Sequence, residues 1–263
     1  MNSMQMIMRW LGIFAIGISL LSNANGSGPK EDALNRLDQV IAMPSLGESR
    51  LEQILQGYYQ HGLGGPEAWE NVSSLYTIGH LKMDSGDFQL ITCRKKPHYM
   101  KKTIVNARYY LEIVSNGKSA WQISGKGGVA KEMEADRMRR FIFDAQFGSH
   151  LLYPNAPGKQ IEYIDTVPAN GSVCHLLQVT LETGYRVEYF INVHTFLVIK
   201  EAITDLHSEK MYTRVYSDYS RESGLPIARK ITTYENGKWV STLKIDVLKI
   251  NTGMMPWMFD CQE

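Results

Sequence analysis

The chain has 263 residues, with 28 Lys plus Arg against 27 Asp plus Glu and a net charge of +1. That length is enough for a full hydrophobic core, and the balanced charge leaves no global field to draw the protein to nucleic acid or to an acidic membrane. Nucleic-acid binding is therefore not expected, and no repeat, low-complexity tract or Pro-rich linker divides the chain.

The N-terminus reads as a cleavable signal peptide over residues 1–26: Arg9 is a sparse positive region, Leu11 to Leu21 form an apolar run, and small residues follow at Ser22, Ala24 and Gly26. Cleavage after Ala24 or after Gly26 fits equally. The apolar run of about 11 residues falls well short of the roughly 20 that cross a bilayer core as a helix. No Cys follows it to carry a lipid, so residues 27–263 are expected to be one soluble domain released into the periplasm. There, Cys93, Cys174 and Cys261 allow one disulfide from three pairings, or else stay reduced and buried.

Lys30 to Ala42, behind Pro29, places Ala33, Leu34, Leu37, Val40 and Ile41 on one helical face. A second helix is expected from Ser45, where Ser45 and Glu48 have the spacing of a capping box and Leu51, Ile54, Leu55 and Tyr58 recur with helical period. Gly62 to Pro66 ends it. From Ser73 the pattern changes to short β-branched and aromatic runs, separated by Ser85-Gly86, Asn116-Gly117, Asn170-Gly171, Thr183-Gly184 and Asn236-Gly237. These predict about a dozen strands running up and down in sequence order as an antiparallel meander. Leu177, Val179 and Leu181 alternate with Gln178, Thr180 and Glu182, and Val187, Tyr189 and Ile191 alternate with Arg186, Glu188 and Phe190, so one face of the sheet should be buried. A third helix interrupts the strands at Lys131 to Phe147, with Met138, Phe141, Ile142 and Ala145 as its apolar stripe, and should lie across the sheet or plug one end.

Motifs for chemistry are missing. The histidines lack the i, i+4 spacing of a zinc helix, and there is neither a G-x-S-x-G elbow nor a Walker loop. Gly125-Lys126-Gly127-Gly128 reads as a flexible loop, and Glu112, Asp165, Glu182 and Glu188 as solvated strand carboxylates. Arg94-Lys95-Lys96 and Lys101-Lys102 read as a solvated hairpin tip, with contact to lipid headgroups or an acidic partner as the functional alternative. Asn71 and Asn170 open glycosylation sequons, relevant only to a eukaryotic secretory route. No catalytic residue, metal or cofactor is assigned, and the chain is expected not to be an enzyme.

The apolar and aromatic weight of the strands is distinctive. A long curved sheet has a concave face that helices can fill or leave as a pocket, and the expected pocket residues are Tyr109, Leu111, Ile113, Trp121, Leu177, Val179, Val187 and Tyr189. A register slip of one residue exchanges that set for its neighbours.

Several segments carry a resemblance: the opening helix with Gly64-Gly65 and Trp69; Gly184 to Asn192; Phe196 to Lys200; Tyr216 to Tyr219 followed by Gly224 to Ala228; and Leu248 to Phe259. In this order they resemble the LolA/LolB-like superfamily of periplasmic lipoprotein carriers, over most of the mature chain. The resemblance implies a mainly β, α+β fold, a curved antiparallel half-barrel whose concave face is covered by amphipathic helices. It also implies a carrier of lipid or lipoprotein acyl chains, with an envelope membrane protein as donor or acceptor. This chain is longer than a minimal carrier, ends in a Met, Trp and Cys tail, and lacks a lipobox. The alternative is an interaction or sensory module of the envelope that docks a protein through a strand edge or the Arg94 to Lys102 patch.

Overall fold

The computed structural model describes residues 47 and 49–261, so the expected signal peptide, the expected helix at Lys30 to Ala42 and the expected cap at Ser45 and Glu48 lie outside them. Helix α1 (Arg50–Gly57) is capped by Ser49, one S-x-x-E spacing later than expected. The Glu52 amide donates to Ser49 Oγ at 3.3 Å, and the Ser49 amide donates to Glu52 Oε2 at 3.0 Å. Starting there keeps Ile54 and Leu55 inside the helix and fully buried, which stabilises its docking by about 2 kcal/mol each. The helix runs on through a single π-helical turn, Tyr58–Gly62, and stops at Gly64, whose φ of 90° suits glycine and where a Cβ would meet the Gly224 carbonyl oxygen at 2.5 Å. A short α2 (Pro66–Glu70) then places Trp69 in the core.

Thirteen strands follow, all in one antiparallel sheet. They are β1 (Ser74–Met83), β2 (Gly86–Lys95), β3 (Tyr99–Val105), β4 (Tyr110–Ser115), β5 (Ala120–Ser124) and β6 (Ala130–Glu132), then β7 (Lys159–Ala169), β8 (Ser172–Leu181), β9 (Tyr185–Asn192), β10 (Val198–Asp205), β11 (Met211–Glu222), β12 (Leu225–Glu235) and β13 (Lys238–Ile250). The antiparallel meander is present, with one departure from sequence order, between β6 and β7: the order is β6-β5-β4-β3-β2-β1-β13-β12-β11-β10-β9-β8-β7. Two meanders, each in sequence order, meet where the first strand pairs with the last, Leu75 opposite Ile250 and Met83 opposite Ser241. Hairpin turns dictate adjacency only for the strands they join. They say nothing about β6 and β7, which become the two outer edges of an open, curved half-barrel.

The chain passes between those edges through α3 (Ala135–Ala145), shorter than expected because Lys131 belongs to β6. It lies across the sheet. Arg94 on β2 donates to the carbonyl oxygens of Asp144, at 3.0 Å, and Gln146. From the other half, Arg214 on β11 donates to Asp144 Oδ1 at 2.6 Å, and Asp205 on β10 accepts from Arg139 at 2.9 Å. The helix is thus fastened to both meanders across the concave face.

The largest apolar cluster joins Ile54, Leu55, Tyr58 and Trp69 to the inward residues of β8 and β9, together with Phe143 and Leu151. A second sits under α3, where Phe141 and Ala145 meet Met100, Leu111 and Ile113. On the outer face the closing segment turns through a 3₁₀ turn, Pro256–Phe259, and Phe259 packs with Val114 and Met254 beside Cys93 and Cys261. Cys174 is buried elsewhere, and all three thiols are free.

Candidate functional site: the concave face

Cross-strand register fixes which residues share the concave face. Leu177 lies opposite Tyr189 and Val179 opposite Val187, and all four are sealed, at 0–1 % exposure, in the cluster beneath α1. Leu111 and Ile113, with Tyr109 half-buried at the margin, belong instead to the cluster beneath α3. The structure therefore splits seven of the eight expected pocket residues between two clusters and removes the eighth. Trp121 pairs with Val114, whereas Ile113 pairs with Gln122, so Trp121 occupies the outer face.

Between the two clusters Leu81, Met83, Phe88 and Ile104 form a smaller buried cluster against which Leu243 packs, and the rest of the floor is less well covered. Thr77 on β1 pairs with Leu248, Gly79 with Ile245, and Leu81 with Leu243; Leu243 also faces Ile231 on β12. Leu248, Ile245, Leu243 and Ile231 are each only half-buried, a row of apolar side chains along the middle of the trough. Sequence reading missed them because β13 carries a bulge between the positions facing Ile78 and Gly79, which breaks the period-2 alternation.

Above this row stands a network of charged side chains. Arg94, Lys102, Arg214 and Glu201 rise from β2, β3, β11 and β10, and α3 adds Arg140 and Asp144. The expectation of a solvated basic hairpin tip is thereby corrected. Arg94 and Lys102 share a face with Met100 and Ile104 and turn inward. Lys96 donates to the Trp69 carbonyl oxygen at 2.8 Å, and Lys101 pairs on the outer face with Glu112 at 2.9 Å. Glu112, expected to be solvated, is itself buried and accepts from Tyr110 at 3.0 Å.

Burial opposes the charge on Asp144, yet Arg140, Arg214 and Lys102 hold its carboxyl well below the usual range. Glu201 shows the reverse balance: burial pushes it up in spite of Arg214 and the Tyr216 hydroxyl, which donates to it at 2.7 Å. Burial also brings Lys102 down to about 8, with Arg214, Arg94 and Arg140 adding to the effect and Asp144 resisting it. His150, stacked on Phe143 with centroids 4.6 Å apart, is brought down to about 3 by burial and by Lys159.

A separate open pocket of about 370 Å³ lies at the rim, where His61 and Leu197 meet Tyr219 and Pro226. Among the described residues no three His, Cys, Asp or Glu side chains converge to hold a metal, and no helix is long and apolar enough to cross a membrane.

No family model and no curated protein matches the sequence. Solved structures do match the fold. A putative outer membrane lipoprotein-sorting protein domain from Vibrio parahaemolyticus superposes with a TM-score of 0.55 at 13% identity, over 80% of this chain and 97% of the other. A DUF1329 family protein from Desulfovibrio piger gives 0.56 at 11% identity, over 81% and 98%. A LolA superfamily protein from Nitrosomonas europaea gives 0.56 at 10% identity, over 81% and 99%. At such identities the likeness speaks for architecture alone. This chain is built as a LolA-like half-barrel.

Proposed function

We propose that this chain is an exported, periplasmic, non-enzymatic carrier that holds a lipid, or the acyl part of a lipoprotein, in the trough of its half-barrel. The observation that carries the reading is the half-buried apolar row Ile231, Leu243, Ile245 and Leu248 on the concave face of the sheet, continuous at Leu243 with the small cluster of Leu81, Met83 and Phe88. Each methylene of an acyl chain laid against such a surface contributes about 0.8 kcal/mol, so a long chain is held without a dedicated polar anchor. The structural likeness to a lipoprotein-sorting protein domain supports the same reading. So does the signal-like N-terminus, Arg9 followed by the Leu11 to Leu21 run.

Native mass spectrometry with lipid extraction, on protein purified from its own envelope without detergent, tests the proposal. Co-purifying lipid near one per chain is expected. It should be lost in Leu243→Glu and Ile231→Glu, which place charge on the half-buried row rather than in the sealed core. Charged replacements at Val179 or Tyr189 would unfold the chain and test nothing about cargo. A well-folded, empty protein that also refuses added lipid would overturn the carrier reading. It would favour a protein-docking module using β7, an outer edge on which Ile164 is 47% exposed.

A further inference from the structure

An acyl chain needs no charged partner, yet among the described residues the trough carries more cations than carboxylates to balance them. Arg139 and Asp205 satisfy one another at 2.9 Å. What remains, among the described residues, is Arg94, Lys102, Arg140 and Arg214 against Asp144 and Glu201. Both carboxylates are already shared: Asp144 Oδ1 accepts from Arg214 at 2.6 Å and lies 3.5 Å from Arg140, and Glu201 takes the Tyr216 hydroxyl with Arg214 3.8 Å away. Lys102 has its ammonium 5.4 Å from the centre of the Phe141 ring and no carboxylate within ion-pair distance among the described residues. Nε of Arg94 and Nη1 of Arg140 are buried without a hydrogen-bond partner among those residues.

These donors are held in place rather than mobile. The carbonyl oxygens at the end of α3 fix Arg94, and the Tyr212 ring, 4.4 Å from the Arg140 guanidinium, fixes Arg140. A surplus of half-buried positive charge is unfavourable unless an anion completes it, and fixed donors lose little entropy in binding one. Arg214 keeps 25% of its side chain exposed, so the cluster is open to a ligand.

We propose that the trough seats an amphiphile by its anionic end, a carboxylate or phosphate received by Lys102, Arg94 and Arg214, with the acyl part lying along Ile231, Leu243 and Ile245. The inference rests on the carrier reading and adds to it a selectivity for headgroup charge.

The test compares dodecyl phosphate, dodecanol and inorganic phosphate, each below micelle-forming concentration, by calorimetric titration of the full chain. Dodecyl phosphate is expected to bind at least tenfold more tightly than dodecanol. Lys102→Gln should abolish most of that ratio while leaving dodecanol binding unchanged, and Lys102→Arg should restore it. Equal affinities for the two amphiphiles, or a ratio that survives Lys102→Gln in a folded protein, would overturn the anionic seat and leave the carrier intact. Inorganic phosphate binding as tightly as dodecyl phosphate would also overturn it, by showing a free-anion site. Failure of both amphiphiles to bind would remove the carrier reading and this inference together.

Discussion

The concave face has two regions made from the same sheet by different means. Beneath α1, side chains from β8 and β9 meet Ile54, Leu55 and Tyr58 in a sealed apolar cluster. Beneath the end of α3, the contacts are charged: Asp144 lies between Arg140 and Arg214, with Arg94 on the helix-end carbonyls. An apolar contact needs only area, whereas a charged one needs each partner present, so α1 reads as a permanent wall and α3, whose apolar contacts through Phe141 and Ala145 are supplemented by these charged ties, as a strap whose hold depends in part on solution conditions.

The contrast can be broken from the apolar side first. Leu177→Ala, at a fully buried position, should lower unfolding free energy by about 4 kcal/mol, read from the urea midpoint. On the charged side, Asp144→Asn leaves Arg140 and Arg214 facing each other without their shared carboxylate and should cost about 3 kcal/mol in the same assay. Unlike the Leu177 variant, it should also speed proteolysis within α3 selectively.

Acid separates the regions further. His150 is held neutral in the fold, so the unfolded chain binds the extra proton between pH 6.5 and about 3. Stability should therefore fall with decreasing pH across that window, by up to ~1.4 kcal/mol per pH unit, and His150→Gln should flatten most of the slope in acid titrations followed by circular dichroism. His175, lowered by burial and by Arg50, adds in the same direction. Asp144 and Asp205, both depressed, contribute stability that is present above the unfolded carboxylate value near 4 and is lost only below it. Glu201, raised, has the opposite sign and offsets part of that loss. The smallest effect belongs to the cap: Ser49→Ala should cost about 1 kcal/mol, confined to α1 and visible as faster amide exchange over Leu51 to Leu55.

The alternation of β8 and β9 was legible in the sequence down to the single residue, because both faces of those strands differ sharply in polarity. Whether Leu177 and Val179 line a pocket or fill a core was not legible. The difference is made by α1, whose docking on those strands is a long-range event that periodicity does not record. The face of Trp121 is not legible from its own strand, because the Asn116 to Ser119 connection, by setting Ser115 opposite Ala120, decides the phase of β5. The inward cations had a readable signal: Lys102 alternates in step with Met100 and Ile104, both buried. Their charge alone points to solvent. The joining of β1 to β13 had no local signature at all.

That joining has a consequence for how the protein is made. Every pairing within β1 to β6 is between near neighbours and can form while the chain is still being synthesised, but β1 finds its partner only when β13 has emerged. Until then the first meander presents β1, ten residues long, as an unpaired edge, with Leu75 to Met83 awaiting Ile250 to Ser241. The slowest folding step should be this closure of the seam, and the half-made chain should be the species most prone to edge-to-edge aggregation.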